Sequence, residues 1–279
     1  MEKHFCLTDS PTFRMIELDA VDSTNNFLRQ LDLQGDSRTT LVTAEYQQSG
    51  RGAGTNRWES ERGANLLFSL RVLPKCLPAR RMFALSEAAA MAVWRSLDLT
   101  FQRMKEGPDE GETKAKEAGK ACGGEGFSVK WPNDVYFADS KVAGILIEND
   151  LQGPLVRSSV IGIGLNVNQR RFVSDAPNPR SLCQIVGHEV DRRAVLREFM
   201  TCFMHFMTVL DEGTDAALDA LHEHYKKHLY RRGEKHKFAD GMGEFCATIV
   251  DVEPSGHLIL LDEEGQRRRY EFKEVRHII

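Results

Sequence analysis

The chain has 279 residues, with 37 Lys+Arg against 41 Asp+Glu for a formal net charge of −4, 41% apolar and 8% aromatic residues, and six cysteines. That length and apolar content can bury a full core in one large unit, or in a large and a small one, which excludes a disordered chain and a disulfide-stapled miniprotein. The slightly acidic balance also argues against nonspecific nucleic-acid binding, which needs clustered cations to displace counterions from phosphates.

Met1 to Phe13 carries charges and a proline but no continuous apolar run, so neither a signal peptide nor a transit peptide is expected. Ser23 to Leu31 opens with cap-type residues and places Phe27, Leu28 and Leu31 at helical spacing, predicting a helix from about Thr24. Thr40 to Tyr46 reads as a strand entering a mobile glycine-rich loop with Gly50, Gly52 and Gly54. Asn65 to Val72 is a second strand. Pro78 to Leu97 is a helix with Met82, Leu85, Ala89, Val93 and Leu97 along one face. From Lys105 to Gly126, four Lys, six Asp/Glu and six Gly leave too little apolar surface to offset ordering entropy, which predicts an exposed, dispensable insertion at 105–126.

Three strands then follow closely, Phe127 to Trp131, Val135 to Ala138 and Val142 to Glu148, the last two joined as a hairpin through Asp139-Ser140. Val156 to Val167 is apolar without alternation, as in a strand buried on both faces. Helices are expected at about Arg192 to Leu210 and Ala216 to Leu229. Met200 to Leu210 is the longest nearly apolar stretch, well short of the roughly 20 residues that cross a bilayer, so no membrane span is expected. Beyond Tyr230, strands at Glu244 to Val252, Leu258 to Asp262 and Arg268 to Phe272, punctuated by turn residues, read as a small barrel-like β unit. The layout is α+β with a mixed or antiparallel sheet, divided into 1–228 and 229–279.

The cysteines, at 6, 76, 122, 183, 202 and 246, form no CxxC pair and fit reduced thiols in a cytoplasmic protein rather than a structural metal site. Neither a P-loop nor a complete GxGxxG is present, so any nucleotide must be held otherwise. His224 and His228 stand at i, i+4, and a packing or solvated role is the expectation for them. Three segments carry more. Alternate glycines around Arg51 let a loop fold over an anion while the guanidinium supplies charge. In Val129 to Asp134, Pro132 ends a strand and the following hairpin can return Lys141 beside the turn, where its ammonium could offset charge on a phosphate or carboxylate. Gly162 and Gly164 in a strand permit close approach of a flat ligand or another backbone.

Asp22-Ser23-Thr24-Asn25, AEYQQSGRG from Ala44 to Gly52, KWPNDVY from Lys130 to Tyr136 with Lys141-Val142-Ala143-Gly144-Ile145-Leu146, and GIGLNVN from Gly162 to Asn168 resemble, in order and spacing, the biotin protein ligases. That resemblance implies a catalytic fold related to class II aminoacyl-tRNA synthetases and lipoate ligases, with a C-terminal SH3-like module. It implies biotin and ATP forming biotinyl-adenylate and pyrophosphate, with Mg²⁺ accompanying ATP. Biotin then passes to a lysine of a biotin carboxyl carrier domain of acetyl-CoA carboxylase or a related carboxylase. The 22 residues before Ser23 leave no room for the DNA-binding domain of repressor members, so no nucleic-acid partner is expected. Monomer and homodimer both remain open, and a lipoate or octanoate ligase is the alternative.

By the same resemblance, Ser23, Thr24, Asn25, Gln47, Gly50, Arg51, Gly52, Lys141, Gly144, Gly162 and Gly164 surround biotin. Arg51, Trp58, Asn133, Lys141, Asn166 and Arg276 face ATP. Arg51 and Lys141 align carboxylate and α-phosphate, and Asp134 is the candidate to position or deprotonate the incoming lysine. Ala53 departs from the Arg or Gln that often follows Gly-Arg-Gly in the family, which predicts faster leakage of the adenylate.

Overall fold

The computed structural model describes residues 13–33, 35–106, 126–173 and 178–279. The insertion expected at 105–126 lies almost wholly outside the described residues, as do Cys6 and Cys122.

Seven strands form the larger sheet, in the order β1-β2-β3-β7-β6-β5-β4. They are β1 (Phe13–Val21), β2 (Thr39–Gln47), β3 (Leu66–Val72), β4 (Phe127–Lys130), β5 (Asp134–Phe137), β6 (Ser140–Gln152) and β7 (Leu155–Leu165). β1 and β2 pair in parallel and the other neighbours are antiparallel, so the sheet is mixed as expected. Helix α1 (Thr24–Gln30) is the crossover that parallel pairing of β1 and β2 requires. β1 itself escapes the sequence pattern because it is an edge strand whose Glu17 and Asp19 interrupt any clean alternation.

Alternation along the central strands separates two packing layers. Leu41, Ile161, Ile163 and Leu165 join the main core with α2 (Ala84–Glu106) and α4 (Arg192–Glu212), whereas Val42 and Val160 pack with Leu28 of α1. β7 is thus covered on both faces, which explains its continuous apolar run. Helix α2 begins later than its sequence pattern indicates. Ala79–Arg81 instead forms a 3₁₀ turn after Pro78, and Met82 lies before the helix, 45% exposed rather than on its core face. The helix also continues past Leu97 to Glu106.

α4 starts at an N-cap where the Asp191 carboxylate accepts from the Arg193 and Ala194 amides, and it ends at Gly213 in the left-handed region. A short α3 (Leu182–Val186), too brief to show periodicity, precedes it. α5 (Asp215–Lys227) follows, and His224 and His228 pack with Trp94, whose ring centroid lies 3.9 Å from that of His228.

The second sheet is antiparallel, in the order β11-β10-β9-β8-β12. It comprises β8 (Lys235–Asp240), β9 (Gly243–Val252), β10 (Leu258–Asp262), β11 (Arg267–Tyr270) and β12 (Arg276–His277). β8 and β12, dense in charged and histidine side chains, are the two strands without a sequence signal. The edges β11 and β12 are not paired to each other among the described residues, so the sheet is open rather than a closed barrel. Buried His222 of α5 ties helix α2 to the smaller sheet: Nδ1 lies 2.5 Å from Glu87 of α2, and Nε2 2.8 Å from the Val252 carbonyl oxygen of β9. Burial raises the Glu87 carboxyl above the ordinary range, against the lowering effect of His222 and Arg81. No helix among the described residues is long and apolar enough to cross a membrane.

Candidate active site

A cavity of about 730 Å³ opens between the α1 face of the larger sheet and the β12 end of the smaller one. Its floor is set by strand register. Gly144 of β6 pairs with Gly164 of β7, and Gly164 with Leu67 of β3; two residues along, Leu146, Gly162 and Ser69 align in the same way. All three glycines therefore lie in one small patch of one sheet face, although they come from two separate sequence motifs.

The α1 end of the cavity is a closed hydrogen-bond network. The Gln47 amide oxygen accepts from the Thr24 backbone N–H at 2.8 Å and from the Thr24 hydroxyl at 3.1 Å, satisfying a first-turn donor of α1. Ser69 Oγ lies 2.7 Å from Thr24 Oγ1 and 2.6 Å from Asn25 Oδ1. Asn25 Nδ2 donates to Glu148 Oε2 at 3.0 Å. A Cβ on Gly162 would come within 2.0 Å of Asn25 Oδ1, so glycine is the residue that lets this amide rest on the sheet. Ser69 is a polar residue within the apolar run of β3, a signal that the sequence did carry.

The glycine-rich segment forms a tight finger: Trp58 N–H donates to the Gly50 carbonyl at 2.9 Å, Gly52 N–H donates to the Asn56 carbonyl at 2.8 Å, and Arg51 and Arg57 form a β-bridge. Gly50 does not line the cavity. A Cβ there would meet the Trp58 carbonyl oxygen at 2.5 Å, so its part is to let the two arms of the finger close. The finger lays Trp58 across the glycine patch, where a Cβ on Gly164 would come within 2.3 Å of the indole. Arg51 is not a free charge. Its Nη1 donates to Asn26 Oδ1 at 2.7 Å, and Nη1 and Nη2 reach Glu148 at 3.3 and 3.1 Å.

On the opposite wall, the β5–β6 hairpin turns at Ala138-Asp139 and brings Lys141 Nζ to 2.6 Å from Asp134 Oδ2. Lys141 is held further by backbone bonds to Asn178 and Arg180, and its ammonium lies 5.8 Å from the Trp58 ring centroid. Asn166, 3% exposed, points its amide at the Lys141 carbonyl at 3.5 Å. Asn133 lines the same wall.

Towards β12 the cavity gains Lys130, Phe272, Lys273, Arg276 and His277, of which only Arg276 was read from sequence. Lys130, Lys273 and Arg276 make no salt bridge among the described residues, whereas Arg51 and Lys141 each face a carboxylate. Burial lowers the Lys130 ammonium below its ordinary range, opposed by the nearby Asp134 charge. Both ring nitrogens of His277 are buried without a hydrogen-bond partner among the described residues. Burial, reinforced by Lys130, Arg231 and His236, brings this imidazole down to about 3, so it is neutral at pH 7. Thus Ser23, Thr24, Asn25, Gln47, Arg51, Gly52, Trp58, Asn133, Asp134, Lys141, Gly144, Gly162, Gly164, Asn166 and Arg276 share one cavity, and Gly50 alone stands behind it.

A family profile, the biotin/lipoate A/B protein ligase family, matches residues 17–166, from within β1 to the end of β7. The chain belongs to that family. Among its relatives, the bifunctional ligase/repressor BirA of Bacillus spizizenii is 28% identical over 92% of this chain and 72% of its own length. The biotin–[acetyl-CoA-carboxylase] ligase of Paracoccus denitrificans is 29% identical over 90% of this chain and 95% of its own. A structure of the biotin protein ligase of Aquifex aeolicus in complex with biotin and ATP superposes with a TM-score of 0.67 at 25% identity, covering 95% of this chain and 99% of that one.

Proposed function

We propose that the chain is a biotin protein ligase, which joins biotin to ATP as biotinyl-adenylate and then transfers biotin to a lysine of a biotin carboxyl carrier domain of a carboxylase. The observation that carries this reading is the pocket over Gly144, Gly162 and Gly164. The three glycines let Asn25 and Trp58 settle close to the sheet, and beside them the hydroxyl and amide groups of Ser23, Thr24, Asn25 and Gln47 match the donors and acceptors of a ureido group. Relatives named as biotin ligases along nearly the whole chain support the same substrate. The units 1–228 and 229–279 would be the catalytic and SH3-like parts.

Biotin's carboxylate is ionised at neutral pH, so adenylation needs alignment rather than a general base. The carboxylate oxygen attacks the α-phosphorus, the bond to the β-phosphate oxygen breaks, and pyrophosphate leaves. Lys141 lies between pocket and hairpin wall, suited to screen the two anions as they meet, and Arg51 supplies the second charge. Asn133, Asn166 and Trp58 would border the nucleotide. Lys130 and Arg276, which line the cavity and make no salt bridge among the described residues, suit its outer phosphates. Mg²⁺ would travel with the phosphates. The described residues hold no group of three or more His, Cys, Asp or Glu that could cage it, and Mg²⁺ usually keeps several waters.

In the second step the carrier amine attacks the acyl carbon and AMP departs as the leaving group. The amine must first lose a proton, and Asp134, paired to Lys141, would position or deprotonate it. The Trp58 finger over the pocket would exclude water from the anhydride.

ATP–pyrophosphate exchange with Mg²⁺ and biotin, lipoate or octanoate tests the assignment. Exchange with biotin alone is the expected result. Exchange with lipoate or octanoate would move the chain to the other branch of its family, and silence with all three would overturn ligase activity.

A further inference from the structure

Glu148 belongs to no substrate contact so far described, yet three side chains beside the pocket converge on it, Asn25, Arg29 and Arg51. It stands on β6 with its side chain 20% exposed. Its Oε2 accepts from Asn25 Nδ2 at 3.0 Å and from Arg51 Nη1 at 3.3 Å; Oε1 accepts from Arg51 Nη2 at 3.1 Å and lies 3.6 Å from Arg29 Nη1. One carboxylate therefore joins the first turn of α1, the last turn of α1 and the glycine-rich finger, three pieces with no other common partner among the described residues.

We infer that Glu148 is a positioning residue for adenylation, holding Arg51 against α1 and fixing the orientation of the Asn25 amide through one carboxylate. The inference rests on the ligase reading. An amide has two orientations of similar shape, and a charged acceptor on one side selects the orientation that presents Nδ2 to it. Asn25 Oδ1 is then committed to Ser69 and to the floor beside Gly162. Arg51 has five N–H donors, and its Nη1 bonds to Glu148 and Asn26 together with its Nη2 bond to Glu148 use three of them. Nε and the second Nη2 hydrogen remain for a ligand, so Glu148 aims the guanidinium without consuming it.

The two functions separate by substitution. Glu148→Gln removes the charge that holds Arg51 but keeps an oxygen that can accept from Asn25 Nδ2. Glu148→Ala removes both. Limited trypsin cleavage after Arg51, in ligand-free protein, reads the hold on the finger directly; Glu148→Gln should be cut about fivefold faster than wild type at an unchanged unfolding midpoint. In pyrophosphate exchange the same variant should lose about fivefold in kcat with the biotin KM within about twofold, whereas Glu148→Ala should also raise that KM by about fivefold or more. A merely structural role would shift the unfolding midpoint and would not split KM from kcat between the variants. Wild-type cleavage after Arg51 together with wild-type kcat in Glu148→Gln would overturn the inference. Silence of wild type in exchange would instead strike the ligase reading, and the cleavage assay would still decide whether Glu148 holds the finger.

Discussion

Gly162→Ala tests whether the pocket floor is as tightly built as the register implies. The added Cβ would stand 2.0 Å from Asn25 Oδ1 and 2.8 Å from its Cγ, where ordinary contact begins at 3.4 Å. Asn25 must therefore retreat by roughly 1.4 Å, the difference of those distances, and it is only 3% exposed. That displacement breaks the 2.6 Å bond from Ser69 and the 3.0 Å bond to the Glu148 carboxylate. A neutral bond contributes about 1 kcal/mol and one to a charged group about 1.5–3 kcal/mol. The loss is offset by about 0.4–1 kcal/mol because alanine narrows the unfolded ensemble. The net expectation is about 2–3 kcal/mol of destabilisation, read as a lower urea midpoint at constant m-value. The displaced amide should also raise the biotin KM by about fivefold or more, since it would be pushed from the sheet into the cavity it lines. Gly241→Ala is the control, because nothing lies within 4 Å of a Cβ there. A Gly162→Ala protein with the midpoint and KM of wild type would refute the claim that Asn25 is locked onto the sheet.

Lys141→Ala should lower exchange kcat by about 10²–10³-fold, as removal of one preorganised charge donor does, with little change in urea midpoint; an effect under about tenfold would take Lys141 out of the reacting centre. Acid should destabilise the fold partly through His277, whose folded value of about 3 lies below the ordinary 6.5. Its contribution is complete above pH 6.5 and is lost as pH falls towards 3, because the unfolded chain binds the extra proton. His277→Gln should therefore flatten the dependence of unfolding free energy on pH by up to one proton between pH 6 and 4, and an unchanged slope would refute the assignment. His222→Phe should cost about 3–5 kcal/mol by leaving buried Glu87 without its His222 partner and removing the bond to the Val252 carbonyl; thermal unfolding checks it, and a loss below about 1 kcal/mol would mean that the link between α2 and the smaller sheet is dispensable. Ala53→Arg, which adds a cation to the finger bordering the pocket, should slow adenylate release, measured as hydrolysis in the absence of carrier; equal rates would remove Ala53 as the cause of leakage.

Much of this protein is legible locally. Helical spacing located α1, α4 and α5, turn residues located the β5–β6 hairpin, and the unbroken apolar run marked β7 as buried on both sides. The motifs around Arg51, Lys130 and Gly162 also named most of the cavity wall, since glycines, amides and isolated cations within otherwise regular elements are conspicuous in a linear reading. Other features depend on partners far along the chain. β1, β8 and β12 are edge or charge-rich strands whose existence comes from pairing rather than from their own pattern. Strand register decided that Gly144, Gly162 and Gly164 share one face with Ser69, and that Gly50 serves the finger's closure rather than the cavity. Charge pairing was equally hidden. Arg51 and Lys141 read as free cations in the sequence, but folding sets Glu148, 97 residues away, against the first and Asp134 against the second, while Lys130 and Lys273 make no salt bridge among the described residues. Periodicity and turn chemistry act over a few residues and are written in order along the chain, whereas register and ion pairing are set by distances that only the closed sheet and its crossovers create.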